Sequence, residues 1–255
     1  MSKLITFEYP LHERSRTLLR LEHSFQQFDY HKAIDNDWET RAALSAMLDI
    51  SSILARADIK SEFIKEMEKQ SVNLGKMRLT QGVDSDMLEA VLLQLNTAIA
   101  QLHGVEGQLG KSIRDHEFLK SIQQRSGIPG GNCDFDLPLY YYWLQLPHEE
   151  RASQLEEWIS DIQPLRQAVE LLLTLIRGSS TSQHEVAENG LFNKTLDNNA
   201  VIQLIKITIP QDTQFYPEIS GNKNRFNVRF IETTPLEHPK QTTNLVNFQL
   251  TICVI

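Results

Sequence analysis

The sequence predicts an α+β protein, with an N-terminal multi-helix domain followed by a C-terminal antiparallel β-sheet domain. Two observations carry this. From about residue 12 to residue 177, apolar residues recur at three- and four-residue steps, the period of an amphipathic helix. After residue 200 they alternate with polar residues, the period of a strand with one buried face. Hydrophobic residues make up 41% of the 255 and charged residues 23%, which supports a packed core and excludes wholesale disorder. The expected divisions are a strand at 1–10, a helical domain at 11–178, a linker or long loop at 179–200 and a β domain at 201–255.

Leu4-Ile5-Thr6-Phe7-Glu8-Tyr9, just before Pro10, is a candidate strand that would join the C-terminal sheet and tie the chain ends together. Leu18, Leu21, Phe25 and Phe28 share one face of a first helix, and Leu44, Met47 and Leu48 begin a second. Asp58 is a plausible N-cap for a helix marked by Phe63, Met67 and Leu74. Asp84 would cap the next, whose stripe is Met87 or Leu88, Val91, Leu95, Ile99 and Leu102. Phe118, Leu119 and Ile122 mark a short helix up to Arg125, and the glycines of 127–133 demand a turn. Asp136 is read as a helix cap before Pro138, and Pro138 and Pro147 as first-turn prolines. Pro164 opens the apolar stretch that Gly178 ends. Strands follow at Ile205-Lys206-Ile207-Thr208-Ile209, around Phe226, Val228 and Phe230, and from Val246 to Val254.

Composition narrows the function. The formal net charge is −8, so general polyanion binding would need a local basic patch. Cys133 and Cys253 lie 120 residues apart and form neither a disulfide framework nor a zinc signature. No pair among the eight histidines has the i, i+4 spacing of a helical metal site. The first residues hold no long apolar stretch, and no apolar run approaches the roughly 20 residues of a membrane span, so a cytoplasmic protein without signal peptide is expected.

The informative feature is a row of cations. Lys223, Arg225 and Arg229 are all odd-numbered and share one strand face if the strand is regular there, while Phe226 and Val228 face the core. The two arginines would then sit about 13 Å apart. Residues 1–199 hold 20 basic and 29 acidic residues, and residues 200–255 hold 5 and 4, so these cations stand on one strand of a near-neutral region. Arginine forks bind carboxylates bidentately, which makes a short acidic peptide a sensible ligand. Read from the pattern alone, the row is equally a solvated sheet face with ordinary charges.

Other features point less far. The segment 127–133 lacks the spacing of a phosphate-binding loop and does not follow a predicted strand, so it reads as a corner between helices. A thiol-dependent enzyme using Cys133 would need an activating neighbour, and no nearby His or Lys suggests one. A nucleic-acid-binding role for the basic strand is weakened by the acidic balance of the chain. Tyr140-Tyr141-Tyr142-Trp143 on a helix must place some of its rings in the core.

Four stretches stand out when taken together. They are Phe7-Glu8-Tyr9-Pro10-Leu11-His12-Glu13-Arg14 with the following Leu19-Arg20-Leu21-Glu22; Ile128-Pro129-Gly130-Gly131-Asn132-Cys133-Asp134-Phe135-Asp136-Leu137-Pro138; Leu146-Pro147 with Trp158-Ile159; and Tyr216-Pro217-Glu218-Ile219-Ser220-Gly221-Asn222-Lys223-Asn224-Arg225-Phe226. They resemble the ZapD family of bacterial cell-division proteins, and the resemblance spans nearly the whole chain. It implies a helical domain with a smaller β domain, a symmetric homodimer and no cofactor, metal or enzymatic activity. It also implies a cytoplasmic protein at the mid-cell division site, which binds the short acidic C-terminal tail of FtsZ and bundles FtsZ filaments. The family holds that tail largely with basic residues. The matching positions here are Arg56, at the end of the second helix, with Arg225 and Arg229; Lys223 is a neighbour in the same motif, and Arg114 and Arg125 are further contributors. The sequence departs from the family at Glu117 and Tyr141, where some relatives would carry a basic or imidazole side chain, and in an extended hairpin or loop at 236–241.

Overall fold

The computed structural model describes residues 3–55, 58–197, 201–234 and 238–254. The chain divides into two compact units, one of Arg20–Leu172 and one of Met1–Leu19 with Leu173–Ile255.

The helical elements form where the apolar period and the caps require them. Helix α1 (Glu13–Lys32) buries Leu18, Leu21, Phe25 and Phe28. Helix α2 (Asp37–Leu54) starts at Asn36, whose side chain accepts from the Trp38 amide at 2.8 Å. Asp58 caps α3 (Ile59–Lys76) by accepting from the Ser61 amide at 3.3 Å, and hydrogen bonds from Ser61 hold its carboxyl below the ordinary value. Asp84 caps α4 (Ser85–Gly104) through the amides of Asp86 and Met87. Of the pair Met87 and Leu88, it is Leu88 that is buried, with Leu92, Leu95, Ala98 and Leu102 below it. Short helices α5 (Lys111–Asp115) and α6 (Glu117–Ser126) lead to the turn at 127–133. Pro138 opens α7 (Pro138–Leu144), and α8 (His148–Ile159) and α9 (Gln163–Gly178) follow.

Asp136 does not cap α7. Leu137 occupies that position without a side-chain bond, and the Asp136 carboxylate instead accepts from Arg125 Nη1 at 3.3 Å. On α7, Tyr140 and Trp143 are buried and Tyr141 and Tyr142 exposed, the division that helical geometry imposes on four consecutive rings.

The second unit holds the strands β1 (Leu4–Pro10), β2 (Ser180–Ala187), β3 (Leu191–Thr195), β4 (Ile202–Pro210), β5 (Phe215–Gly221), β6 (Arg225–Glu232) and β7 (Val246–Val254). They form two antiparallel sheets, ordered β1-β4-β7-β2 and β3-β6-β5. The alternating apolar residues of β4, β6 and β7 meet in one cluster that includes Ile205, Ile207, Phe226, Val228, Phe230, Phe248 and Leu250. Strand β1 joins the sheet as expected, running beside β4 from Leu4 opposite Pro210 to Pro10 opposite Leu204. A bidentate pair fixes it further: Arg177, in the last turn of α9, donates to both Glu8 oxygens at 2.9 and 2.7 Å.

Three features correct the sequence reading. The strands make two sheets, not one. The stretch 179–200 is not a linker or long loop: its described part holds β2 and β3, joined by a two-residue turn at Asn189 (φ 51) and Gly190 (φ 68). Both turn residues are left-handed, the geometry that selects Asn-Gly in tight hairpins. Gly190 is required twice over, because a Cβ there would lie 2.4 Å from the Thr242 carbonyl oxygen. Strand β2 is an edge strand exposed along nearly its whole length, so it carries no apolar alternation. Strand β5 is a further strand beyond those expected: Pro217 argues against a central strand but is tolerated here at a sheet edge.

Candidate functional site

Strand β6 is the middle strand of the three-stranded sheet. Its even residues Phe226, Val228 and Phe230 are buried, so its odd residues must face outward. Arg225 and Arg229 are exposed and Asn227 between them is half-buried. Cross-strand neighbours complete the face: Thr195 stands opposite Arg225, Asn193 and Ser220 flank Asn227, and Leu191 and Glu218 flank Arg229.

Lys223 is not part of the strand row. It occupies the turn between β5 and β6, exposed. The Asn222 side chain builds this turn by accepting from the amides of Asn224 (2.9 Å) and Arg225 (3.2 Å), while the Asn222 amide donates to the Arg225 carbonyl. Regular alternation stops at Arg225, so parity no longer places Lys223 on the arginine face. Gly221 closes the hairpin because a Cβ there would meet Phe226 Cβ at 2.6 Å.

This end of the sheet carries a hollow of about 510 Å³, lined by Asn193, Thr195, Ser220, Asn222, Arg225 and Asn227 among others. Lys194, Gly221 and Phe226 line it beside these amides, hydroxyls and the Arg225 guanidinium. Among the described residues, neither Arg225 nor Lys223 has a carboxylate within ion-pair distance. Arg229 differs. It lies opposite Glu218 and donates from Nε to Gln241 Oε1 at 3.2 Å, so an acidic residue does stand on this face. Lys194 points to the other face and is neutralised by Glu185 at 2.8 Å. The polar residues around Arg225 have no sequence period to reveal them; only the Asn222-Lys223-Asn224 run hints at the turn.

The remaining predicted cations belong to the helical unit. Arg114 spends its fork locally, donating from Nη1 to the Leu109 carbonyl (2.8 Å) and from Nη2 to Gln108 Oε1 (3.1 Å). Arg125 pairs with Asp136. Arg56 lies outside the described residues. Its chain neighbours Leu54, Ala55, Asp58 and Ile59 line a second hollow of about 470 Å³ with Gly107, Gln108 and Leu109, next to the carbonyl that Arg114 holds. Of the loop expected at 236–241, residues 236 and 237 lie outside the described residues, while the Lys240 carbonyl and Gln241 pair back onto the end of β6. Cys133 is exposed in the turn at 127–133. Among the described residues no helix is long and apolar enough to cross a membrane.

Comparison with known proteins assigns the chain to a class, the cell-division proteins. Residues 19–229 match the family model ZapD, a cell division protein. Over its full 255 residues the chain is 38% identical to the whole of the cell division protein ZapD of Methylococcus capsulatus. Over 251 residues, 98% of this chain and 99% of the relative, it is also 38% identical to that of Chromobacterium violaceum. The chain belongs to the ZapD family.

Proposed function

We propose that the protein binds the acidic C-terminal tail of FtsZ on the arginine face of β6 and, as a homodimer, cross-links and bundles FtsZ filaments at the mid-cell division site, without enzymatic activity. The observation that carries the reading is Arg225: an exposed guanidinium with no carboxylate partner among the described residues, beside a polar hollow, in a chain of the ZapD family. Arg229, on the same strand face, and Lys223, in the turn that precedes β6, add charge to the site. Arg56 is proposed as a further contact, with Arg114 and Arg125 in lesser roles, since both already serve internal partners.

A two-fold dimer doubles one tail site into two. A bivalent particle can join neighbouring filaments, and repeated weak contacts sum through effective concentration, so each site needs only modest affinity. Surface arginine–carboxylate contacts are screened by salt, so binding weakens as ionic strength rises.

The test is fluorescence anisotropy of a labelled FtsZ tail peptide at two salt concentrations. Saturable, salt-sensitive binding by the wild type and its loss in Arg225→Glu support the reading; binding unchanged in the variant sinks it. Sedimentation of FtsZ filaments then separates binding from bundling. A forced monomer should hold the tail and fail to bundle.

A further inference from the structure

A second surface, with a chemistry of its own, lies wholly within the helical unit. His116, Phe118, Tyr140, Trp143 and Trp158, from the start of α6 to α8, pack as one aromatic cluster. The Trp158 ring centroid is 5.3 Å from that of His116, 5.6 Å from Trp143 and 5.7 Å from Phe118, and Tyr140 stacks on Trp143 at 6.1 Å. A hollow of about 430 Å³ is lined by four of these rings, with Leu146 and Glu157 among others. Trp143 is buried there, His116, Phe118 and Trp158 are half-buried, and the lining residues Leu139 and Tyr142 are exposed.

The charge at this hollow has one sign. No lysine or arginine lines it, and its acidic residue is Glu157. Among the described residues the Glu157 carboxylate has neither an ion pair nor a hydrogen bond. The nearby cations are already spent: Arg151 of α8 is buried and turned to Asp35 and Asp37, and Lys32 takes Glu156. Trp143 Nε1 donates to Gln154 Oε1 at 2.5 Å, so its indole proton is used and its ring is what it can offer. One ring of the cluster already receives a guanidinium, since Arg41 lies over Tyr140 at 4.8 Å from its centroid. Among the described residues no cation lies over Phe118, Trp143 or Trp158.

We propose that this hollow receives an arginine side chain presented by a partner protein, its guanidinium stacked on the accessible parts of Trp158 and Phe118 and its fork on Glu157. Aromatic faces attract a cation through the ring quadrupole. A free carboxylate matches the guanidinium fork bidentately, and guanidinium is weakly hydrated, so it gives up water for such a site more readily than an ammonium does. An anion finds no cation here, and a purely apolar side chain leaves the Glu157 charge unmatched. Glu117, exposed between His116 and Phe118, and the four glutamates of α8 favour a basic segment around that arginine. The site is separate from the β6 arginines and does not depend on the tail-binding reading.

The experiment follows the tryptophan indole N–H signals by NMR while the full-length protein is titrated with Nα-acetyl-arginine N-methylamide. Trp38 does not line the hollow and serves as the internal control. Saturable shifts of Trp143 and Trp158 in the millimolar range, with Trp38 unmoved, are expected. The matching citrulline compound, equal in shape and uncharged, should bind about tenfold more weakly or less. Glu157→Gln should weaken arginine binding about three- to tenfold, with unchanged circular dichroism. No saturable shift, equal binding of the citrulline compound, or unchanged affinity in Glu157→Gln overturns the proposal. Tighter binding of unblocked arginine than of the capped residue would make this a site for the free amino acid and overturns the partner.

Discussion

Arginines do opposite work in the two units of this protein. In the helical unit Arg151 is only 3% exposed and is fully engaged through its terminal nitrogens, donating to Asp37 (2.8 Å), Asp35 (3.2 Å) and the Leu144 carbonyl (3.0 Å). Arg166 grips Asp29 with both Nη atoms and Glu170 with Nε, and these bonds raise its affinity for the proton. Arg41 lies over the buried Tyr140 ring at 4.8 Å. In the sheet unit Arg225 stands in solvent with no carboxylate among its described neighbours. A guanidinium whose fork is filled internally is part of the fold; one whose fork is empty is available to a partner.

The contrast can be broken by mutation. Arg151→Ala should have the largest effect, about 2–4 kcal/mol of unfolding free energy, because it removes three charge-assisted bonds and leaves a buried carbonyl unpaired. Urea unfolding measures it, and a cost below about 0.5 kcal/mol would remove Arg151 from the fold-building class. Next comes Tyr140, whose phenol is pushed up by burial from 10.0 to about 12, with Arg41 opposing the shift. Burial favours the neutral form, so this contribution is fully present below pH 10 and is lost as the pH rises through 12. The wild type should lose about 2–3 kcal/mol over that window. Tyr140→Phe should not show that loss, and parallel alkaline unfolding curves for the two proteins would contradict the assignment. Asp84→Ala removes the cap of α4 and should cost about 1 kcal/mol. Smallest in stability is Arg225→Glu, within about 0.5 kcal/mol, although its effect on tail binding should be the greatest of the series. If it destabilised the protein as much as Arg151→Ala, the distinction between the two classes of arginine would collapse.

The helices and the three apolar strands were legible because their signals are local. The cap at Asp84 and the buried faces of α1 and β6 each follow from a few neighbouring residues. The Asn189-Gly190 turn is equally local, yet the strand before it is polar and exposed and lacks the apolar alternation that marks a buried face. At the candidate site, parity correctly put Arg225 and Arg229 on the face opposite Phe226, Val228 and Phe230. It failed at Lys223, where the chain leaves the strand for a turn.

By itself, then, the sequence determined the succession of helices and apolar strands, their buried faces and the outward direction of two arginines. Each follows from periodicity and capping within a few residues. Only the tertiary structure decided that the strands separate into two sheets, that Glu218 stands opposite Arg229 and that Arg125 takes Asp136. Those outcomes depend on pairings between residues distant in the chain, and local periodicity carries no information about which distant strand or side chain will be the neighbour.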